Sequence, residues 1–169
     1  FVMANVGNTH RPFKPHIVPI DLPRVDPGGI DVPPELPDTP VMRMDLAEYL
    51  RLAKDAGLAT LPGTAAEILD DEVRAIICPD KINTSQWLAV MEAAHGVGLK
   101  STATIMFGHV DQHLHWARHL RRVRALQEQT GGFTEFVPLG FIHERNMLYN
   151  FMGSRPGPSM AEDMRMIAV

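Results

Sequence analysis

The chain has 169 residues, of which 45% are hydrophobic and 21% charged, and this composition excludes a fibrous or wholly disordered protein. The formal net charge of -4 provides no overall positive field, so a nucleic acid is not an expected partner. A single cysteine, Cys78, excludes an internal disulfide framework and any cluster or zinc site that this chain would bind through several thiolates.

The sequence also lacks the features of a secreted or membrane protein. No apolar segment approaches the roughly 20 residues that a helix needs to cross a bilayer, and no secretory signal pattern opens the chain. We therefore expect a cytoplasmic protein that does not contact a membrane. Because the sequence opens with Phe1 and stops at Val169 inside a predicted helix, we also expect it to be cut from something longer.

Prolines dominate residues 1–40, which contain nine of the 14 in the chain. Proline removes a backbone donor and interrupts helices, so this segment is predicted to be an extended arm or linker. The composition changes at Val41, and residues 41–169 are predicted to form the folded domain. The nine prolines are Pro12, Pro15, Pro19, Pro23, Pro27, Pro33, Pro34, Pro37 and Pro40.

The folded domain is predicted to begin with a helix and a short strand. Asp45 has the side chain of an N-cap, and Gly57 stands where a left-handed residue would end the helix. Residues 58–61 are predicted to form the strand. Beyond the turn that follows, Thr64 and Glu67 have the spacing of a capping box, which predicts a second helix there.

Two further helices are predicted before the next strand. Acidic residues at 70–72 favour the positive end of a short helix, which ends before Pro79. Asn83 or Thr84 then caps a helix whose apolar residues recur on one face. These apolar residues are Trp87, Val90, Met91 and Ala94.

A second strand is predicted over residues 99–107, and Asp111 is the expected N-cap of a long helix that ends near Gln129. Residues 133–139 provide the third strand. The alternation of helices and strands with short connections is typical of right-handed βα units around a parallel sheet, which is the α/β class. Three strands cannot close a barrel unaided, so the prediction is a partial (β/α) barrel of the TIM type.

Candidate site residues are those that follow each strand, because parallel barrels place their working groups at the carboxyl ends of strands. Glu67 fits a ligand contact and the capping box equally well, whereas Asp111 fits an N-cap better than a catalytic acid. The candidates are Thr64 and Glu67 after the first strand, His109 and Asp111 after the second, and Phe141 and His143 after the third.

Histidines and arginines are concentrated in and just before the long helix. Histidines four positions apart share a helix face and could ligate a metal, but the sequence has no H-E-x-x-H motif and no certain third ligand. We expect the helix histidines to be partly exposed and the arginines to form a solvated face. The histidines are His109, His113, His115 and His119, and the arginines are Arg118, Arg121, Arg122 and Arg124.

Four motifs and a later loop carry a resemblance to a known family. The motifs are LPGTAAEILDDEVR at 61–74, Trp87 within a helix, TIMFGHV at 104–110 and TGGFTEFVPL at 130–139, and the loop is RPGPS at 155–159. In this order and spacing they resemble the tyrosine-coupling subunit, or half, of FO synthase, a family of radical S-adenosylmethionine (radical SAM) enzymes. The resemblance runs from about Asp45 to the end of the chain.

The resemblance implies an enzyme that joins the hydroxybenzyl part of L-tyrosine to 5-amino-6-(D-ribitylamino)uracil by a radical mechanism. In that family a four-iron, four-sulfur (4Fe-4S) cluster, bound by a CxxxCxxC loop, cleaves S-adenosylmethionine. This chain has no such loop, so a missing barrel half or a partner subunit would have to bind the cluster. The isolated chain is therefore expected to be inactive.

The resemblance also implies roles for site residues, although it assigns none of them as catalytic. Glu67 and Thr64 are expected to bind the cofactor, with the Glu67 carboxylate facing the ribose of S-adenosylmethionine or the substrate. A carboxylate suits the hydroxyl groups of such ligands. The residues expected to line the substrate-facing rim are His109, His143 and Phe141.

Three alternatives stay open. Aminofutalosine synthase, a related radical enzyme of menaquinone synthesis, is the nearest, although GTAA at 63–66 favours FO synthase. A metal-dependent hydrolase would use the histidine cluster, and a non-catalytic module would pair through open sheet edges. Gly140 in place of an expected proline, and the unusual residues 144–146, leave the substrate contacts of the third loop open.

Overall fold

The computed structural model describes residues 44–169. The predicted extended arm, residues 1–40, lies outside the described residues. In chain order the elements are α1 (Leu46–Asp55), β1 (Thr60–Leu61), a 3-10 helix (Thr64–Ala66), α2 (Asp71–Ile77), α3 (Thr84–Gly96), β2 (Lys100–Phe107), α4 (His113–Thr130), β3 (Phe133–Gly140), α5 (Met147–Met152) and α6 (Met160–Ile167).

The three strands form one sheet in the order β1-β2-β3, and both pairs of neighbours are parallel. Thr60 of β1 pairs with Lys100 of β2, and Phe107 of β2 pairs with Gly140 of β3. A shift in register occurs near the start of β2, where the pairing with β3 is irregular. The predicted α/β class with a parallel sheet is confirmed.

Helices α2, α3, α4 and α6 pack against one face of the sheet. Ala103 and Ile105 of β2 are fully buried in clusters that include Trp87 of α3 and Trp116 of α4. Successive residues of a strand point to opposite faces of a sheet. The residues that alternate with Ala103 and Ile105 therefore point away from α3 and α4.

Several side chains on the opposite face of the sheet are less buried. On β2 this face includes Thr102 and Met106, which are both half-buried. On β3, Phe136 packs against the helix-side clusters, so Glu135 and Leu139 lie on the opposite face. Glu135 is exposed, and Leu139 is 44% exposed. We call this surface the open face of the sheet.

Several predicted helix boundaries are confirmed by their capping contacts. The carboxylate of Asp45 accepts hydrogen bonds from two amides of the first turn of α1. Asn83 and Gln86 form a reciprocal capping box at the start of α3. Helix α4 ends at Gly131, which adopts the left-handed conformation with a φ of 59°.

The predicted capping box of Thr64 and Glu67 is wrong. A single turn of 3-10 helix follows Gly63, and no side chain caps it. Glu67 instead ends that turn with a positive φ, which removes it from any helix. The reason is that the turn lies pressed against β2, as described below, and has no room to continue as an α-helix.

The predicted N-cap role of Asp111 is also wrong. Helix α4 has Gln112 as its N-cap. The Asp111 carboxylate turns back along the chain and accepts hydrogen bonds from the amides of Gly108 and His109. These donors lie at the end of β2, so the carboxylate stabilises the end of the strand and does not cap the helix.

The last two helices follow β3. Asn146 caps α5, and Ser159 forms a capping box with Glu162 at the start of α6. Met166 of α6 inserts into the buried cluster behind β2. Among residues 44–169, none of the helices has both the length and the apolar composition that crossing a membrane requires.

Candidate functional site

The carboxyl ends of the three strands lie at one edge of the sheet because the strands are parallel. The segments that follow them, residues 62–67, 108–112 and 141–146, begin at this edge. In open parallel sheets, ligands bind outside the carboxyl ends of the strands. We call this part of the molecule the strand-tip edge and take it as the candidate site.

Glu67 follows β1 in an unusual backbone conformation, with φ 46° and ψ -97°. Its carbonyl oxygen accepts a hydrogen bond from the Met106 amide at 2.8 Å, which holds this segment beside β2. Its carboxylate lies 2.7 Å from the Lys81 ammonium, and its side chain is 19% exposed. A residue with a side chain in such a conformation stores roughly 1–3 kcal/mol of strain, and these residues cluster at ligand sites. Glu67 is thus a constrained carboxylate with one flexible partner.

The turn between β1 and Glu67 is pressed against β2. Gly63 donates its amide proton to the Thr102 hydroxyl at 2.8 Å and accepts a hydrogen bond from the Thr104 hydroxyl at 2.7 Å. A Cβ atom at Gly63 would lie 2.3 Å from the carbonyl oxygen of Thr102, so this close approach requires glycine. Thr64, the next residue, is exposed.

His109 directly follows β2 and is 1% exposed. The Val110 amide donates to Nδ1 at 2.7 Å, and Nε2 lies 3.0 Å from the carbonyl oxygen of Met106. These two hydrogen bonds favour a neutral ring that carries its proton on Nε2, although the Asp111 carboxylate also lies 3.1 Å from Nδ1. Burial lowers the pKa of His109, and the nearby carboxylates of Asp111 and Glu67 oppose that effect only in part. Both ring nitrogens are therefore engaged within the protein.

Asp111 holds the turn that carries His109. One carboxylate oxygen accepts the amides of Gly108 at 2.9 Å and His109 at 2.6 Å, and the other accepts the indole N–H of Trp116. The side chain is 0% exposed. Burial alone would raise the pKa of Asp111, but the hydrogen bonds from the amides of Gly108 and His109 and from the indole of Trp116 outweigh it and lower the pKa. Asp111 is consequently an enclosed, ionised carboxylate.

The loop before α6 reaches back to the same turn. Arg155 donates its amide proton to the carbonyl oxygen of His109 at 3.1 Å. Its guanidinium lies 2.8 Å from the Glu162 carboxylate and 3.9 Å from the Asp111 carboxylate. Arg155 thus joins the end of β2 to α6.

Two glycines permit this loop to approach the strand ends closely. Gly108 has a φ of 93°, and a Cβ atom there would lie 2.3 Å from the backbone nitrogen of Pro158. Gly157 has a φ of 130°, and its Cβ atom would lie 2.6 Å from the carbonyl oxygen of Phe141. Neither position accepts a side chain without a shift of the backbone. The loop therefore packs onto the ends of both β2 and β3.

The two candidates after β3 differ in their surroundings. Phe141 is 5% exposed, and its ring lies edge-on to His109 with the ring centroids 5.7 Å apart. His143 has 36% of its side chain exposed and lies edge-on to Tyr149, with the centroids 4.7 Å apart. The structure thus brings Phe141 and His109 into contact, whereas His143 contacts its own segment of the chain.

The helix histidines do not converge on one metal site. Within residues 44–169, the side chains that could bind an ion are Asp70, Glu72 and His115, whose ligand atoms lie within 4.8 Å of one another. The guanidinium of Arg118 lies 3.1 Å from Asp70 and 3.8 Å from Glu72, so it already balances these carboxylates. The expectation of a purely solvated arginine face is wrong at Arg118 and at Arg122, whose guanidinium donates to the Leu69 carbonyl oxygen and lies 3.7 Å from the Asp70 carboxylate. This cluster is best described as an ion-pair network between α2 and α4.

The expectation that the helix histidines are partly exposed is wrong for His119, which is fully buried. Its Nδ1 accepts the Leu69 amide at 2.9 Å, which supports the segment after β1 from the side of α4. Burial and the charges of Arg122 and Arg74 lower the pKa of His119 to about 3. The ring is therefore neutral and serves as a hydrogen-bond acceptor.

The sequence analysis did not identify several residues of the strand-tip edge and the open face. Thr102 and Glu135 could have been assigned to the open face from the alternation of side chains along a strand. Lys81 gave no local signal, because its partner Glu67 comes close only in the fold. Arg155 was noted only as part of the RPGPS loop, and its contact with Asp111 could not be predicted.

Comparison with known proteins identifies relatives, although no protein-family model matches the chain. The chain is 44% identical over 126 residues to the 5-amino-6-(D-ribitylamino)uracil--L-tyrosine 4-hydroxyphenyl transferase of Methanocaldococcus jannaschii. The aligned residues make up 75% of this chain and 35% of that protein. The chain is 52% identical over 122 residues to the transferase of the same name from Methanoculleus marisnigri, covering 72% and 33% respectively. It is 52% identical over 116 residues to FO synthase of Mycobacterium tuberculosis, covering 69% and 14%. The chain thus spans about a third of the length of these two transferases.

Proposed function

Because the chain is homologous to one segment of FO synthase and of the tyrosine-coupling transferases, we propose that it forms part of an active site for the same reaction. That reaction would join the hydroxybenzyl group of L-tyrosine to 5-amino-6-(D-ribitylamino)uracil. The names of the relatives agree with this proposal and not with an aminofutalosine synthase, a metal-dependent hydrolase or a non-catalytic module. A cytoplasmic location, which suits a chain with one cysteine, is part of the proposal.

The observation that carries the proposal is the proximity of Glu67 to the turn after β2. The carbonyl oxygen of Glu67 accepts the Met106 amide at 2.8 Å, only three residues before His109. Lys81, the partner of the Glu67 carboxylate, has 45% of its side chain exposed, so a ligand can displace that contact at little cost. A constrained carboxylate of this kind suits the hydroxyl and ammonium groups that the proposed ligands carry.

The cofactors of the family fit this chain only in part. A 4Fe-4S cluster needs several cysteine thiolates, and the chain has one cysteine. Cys78 is buried, and burial raises its pKa, which disfavours the thiolate. The proposal therefore assigns the cluster to the missing barrel half or to a partner subunit. S-adenosylmethionine would contact this chain through Glu67 and Thr64, whose oxygens suit a ribose diol.

The proposal also gives a role to the open face of the sheet. As part of a (β/α) barrel, the face opposite α3 and α4 would become the interior, as in other parallel barrels. Thr102 and Glu135, which pair across β2 and β3, would then point inwards with Met106 and Leu139. Further strands would cover Leu139, which is 44% exposed, and would pair with the edges of the sheet.

The three proposed substrate-side residues would act in different ways. His109 uses both ring nitrogens internally, so it would shape the pocket together with Phe141 rather than bind substrate through a free nitrogen. His143 is more exposed and is the better placed of the three for a direct hydrogen bond. These roles remain part of the proposal.

A chimera provides the test of this function. The segment of the Methanocaldococcus jannaschii transferase that aligns with this chain would be replaced by the chain's own residues. The chimera is expected to bind its cluster and to form the coupled product from L-tyrosine and 5-amino-6-(D-ribitylamino)uracil, detected by mass spectrometry. A chimera that folds and holds its cluster but couples no tyrosine would refute the proposed function.

The same chimera tests the role of Glu67. Glu67→Gln is expected to lower turnover about tenfold or more, because a charged hydrogen-bond acceptor is replaced by a neutral amide. Its melting temperature should stay close to that of the unmodified chimera. Glu48→Gln is the matched control, since this carboxylate is exposed on α1 and does not belong to the segments of the strand-tip edge.

A further inference from the structure

One carboxylate organises the turn at the end of β2. The side chain of Asp111 is 0% exposed, and both of its oxygens accept hydrogen bonds. The donors come from two elements: the amides of Gly108 and His109 belong to the turn, and the indole of Trp116 belongs to α4. Asp111 therefore connects the end of the strand to the helix that follows it. Hydrogen bonds to a buried charge are stronger than those between neutral groups.

The usual roles of an aspartate at this place do not explain these contacts. A helix cap is excluded because the N-cap of α4 is Gln112. A general acid or base needs an oxygen that a substrate can reach, and the side chain of Asp111 is enclosed. The group of possible metal ligands within residues 44–169 does not include Asp111. Its contacts therefore serve the shape of the turn.

Arg155 connects this carboxylate to the loop before α6. Its guanidinium lies between Asp111 and Glu162, at 3.9 Å and 2.8 Å, and its amide donates to the carbonyl oxygen of His109 at 3.1 Å. Hydrogen bonds from the Ser159 amide and from Arg155 lower the pKa of Glu162 to about 2. The two carboxylates on either side of the guanidinium are therefore both ionised near neutral pH.

We propose that Asp111 is a positioning residue, which fixes the turn after β2 so that the His109 ring keeps one tautomer and one orientation against Phe141. Arg155 supports this role by joining the turn to α6. The assignment of this turn to an active site rests on the proposed function, whereas the contacts themselves do not. The Val110 amide donates to Nδ1 of the ring at 2.7 Å, and the Asp111 carboxylate lies 3.1 Å from the same nitrogen, so a loosened turn would lose both contacts that fix the ring.

Asp111→Asn tests the proposal by NMR in the 169-residue chain. Asparagine keeps the size of the side chain but places an amide donor where several donors already converge, so the turn must open. The ring nitrogen shifts of His109 are expected to move from a single Nε2-protonated form towards a mixture of forms. Hydrogen exchange at the amides of Gly108 and His109 is expected to rise about tenfold or more, while that of Ala103 within β2 stays within about twofold.

Glu128→Gln is the matched control, because this carboxylate also belongs to α4 but is 65% exposed and pairs with Arg124. It is expected to leave the ring shifts and the exchange rates unchanged. If Asp111 served only general stability, Asp111→Asn would raise exchange evenly across the sheet and leave the His109 ring shifts as in the unmodified chain. That result would overturn the proposal.

Arg155→Met keeps the proposal testable if Asp111→Asn does not fold. The substitution removes the guanidinium and leaves the backbone contact with His109 in place. The His109 ring shifts should move in the same direction as in Asp111→Asn but by less, with exchange rising about threefold. Arg155→Lys should recover part of the change because it restores the charge. Ring shifts that do not respond to Arg155→Met would refute the link between this loop and the turn.

The chimera separates this inference from the proposed function. In an active chimera, Asp111→Asn should lower kcat about tenfold and leave KM for L-tyrosine within about twofold, because positioning affects the reacting geometry more than binding. A larger change in KM than in kcat would contradict a positioning role. An inactive unmodified chimera would refute the proposed function, while the NMR result would still decide the role of Asp111.

Discussion

The tips of β1 and β2 lie next to each other at the strand-tip edge, yet their polar groups are satisfied in opposite ways. At the tip of β1, Glu67 has a strained backbone, and its carboxylate contacts the flexible Lys81. At the tip of β2, Asp111 is enclosed and accepts hydrogen bonds from the turn and from α4. The first tip has a charged group that a ligand can engage, and the second has none to offer.

Under the proposed function, this difference would correspond to a division of roles within one site. A binding site works best when its contact groups are held by a second set of residues that do not move on binding. The tip of β2 meets that requirement through Asp111, Arg155 and the packed loop before α6. In the proposed site, the tip of β1 would provide the contact group. Each tip can be disturbed separately, and the expected effects differ in size and in sign.

Gly108→Ala should produce the largest effect, because it disrupts the tip of β2 directly. Gly108 has a φ of 93°, and the new Cβ atom would lie 2.3 Å from the backbone nitrogen of Pro158. Alanine would suffer both the unfavourable φ and the displacement of the loop, with an expected loss of about 4 kcal/mol in the free energy of unfolding. The melting temperature should fall by roughly 10–15 °C.

Gly96→Ala is the control for this substitution, since a Cβ atom there meets nothing within 4 Å. It should leave the melting temperature unchanged or raise it slightly, because alanine is the better helix former. Equal stability of Gly108→Ala and the unmodified chain would show that the loop does not hold the tip of β2.

Local sequence patterns predicted the three strands and most of the helices of this fold, but not α5, the 3-10 turn at Thr64 or the difference between the tips. The caps at Asp45 and Asn83 depend on residues a few positions apart, so they can be recognised without the structure. The predicted cap at Asp111 is wrong because the preceding amides, those of Gly108 and His109, donate to its carboxylate in place of the amides of α4. The indole of Trp116 adds a third donor that only the fold brings into place.

The candidate site shows the same limit of sequence reasoning. Glu67, His109 and Phe141 could be selected because each follows a strand, which is a topological rule that the sequence can satisfy. That the ring of His109 is buried with both nitrogens engaged follows from tertiary contacts. The pairing of Lys81 with Glu67 likewise depends on how the loop after α2 returns to the sheet.

The second largest effect should come from acid, which is expected to lower the free energy of unfolding by protonating His119 beside the tip of β1. Nδ1 of this ring accepts the Leu69 amide at 2.9 Å. Burial, with the charges of Arg122 and Arg74, lowers the pKa of His119 from 6.5 to about 3. The unfolded chain binds a proton below pH 6.5 that the folded chain does not bind until about pH 3. Stability from the neutral ring is therefore complete above pH 6.5 and is lost as the pH falls towards 3.

His119→Asn isolates this contribution, because the asparagine oxygen can accept the Leu69 amide and does not titrate. Urea unfolding from pH 7 to pH 4 should show the unmodified chain losing about 3 kcal/mol more than the variant over this range. The other titrating groups, including His109, are present in both proteins and cancel in the difference. A difference between the two proteins that does not change with pH would show that the ring of His119 is not held neutral.

Glu67→Gly should have the smallest effect on stability, and the effect should have the opposite sign. Glycine relieves the strain of a side chain at φ 46° and ψ -97°. The lost contact with Lys81, whose side chain is 45% exposed, contributes roughly 0–1 kcal/mol. The added freedom of glycine in the unfolded chain offsets part of the gain. The net expectation is a stabilisation of up to about 1 kcal/mol, measured by urea unfolding.

Glu135→Gly provides the comparison, because Glu135 is also a glutamate but is exposed and lies within the regular strand β3. Glycine in a regular strand should destabilise the chain by about 1 kcal/mol. In the chimera, Glu67→Gly should abolish most of the coupling activity although it does not destabilise the protein. A protein gains stability when a strained residue that it retains for function is replaced. If Glu67→Gly destabilised the chain as much as Glu135→Gly, the backbone at Glu67 would not be strained. The two strand tips would then be fixed in the same way, and the division of roles between them would fail.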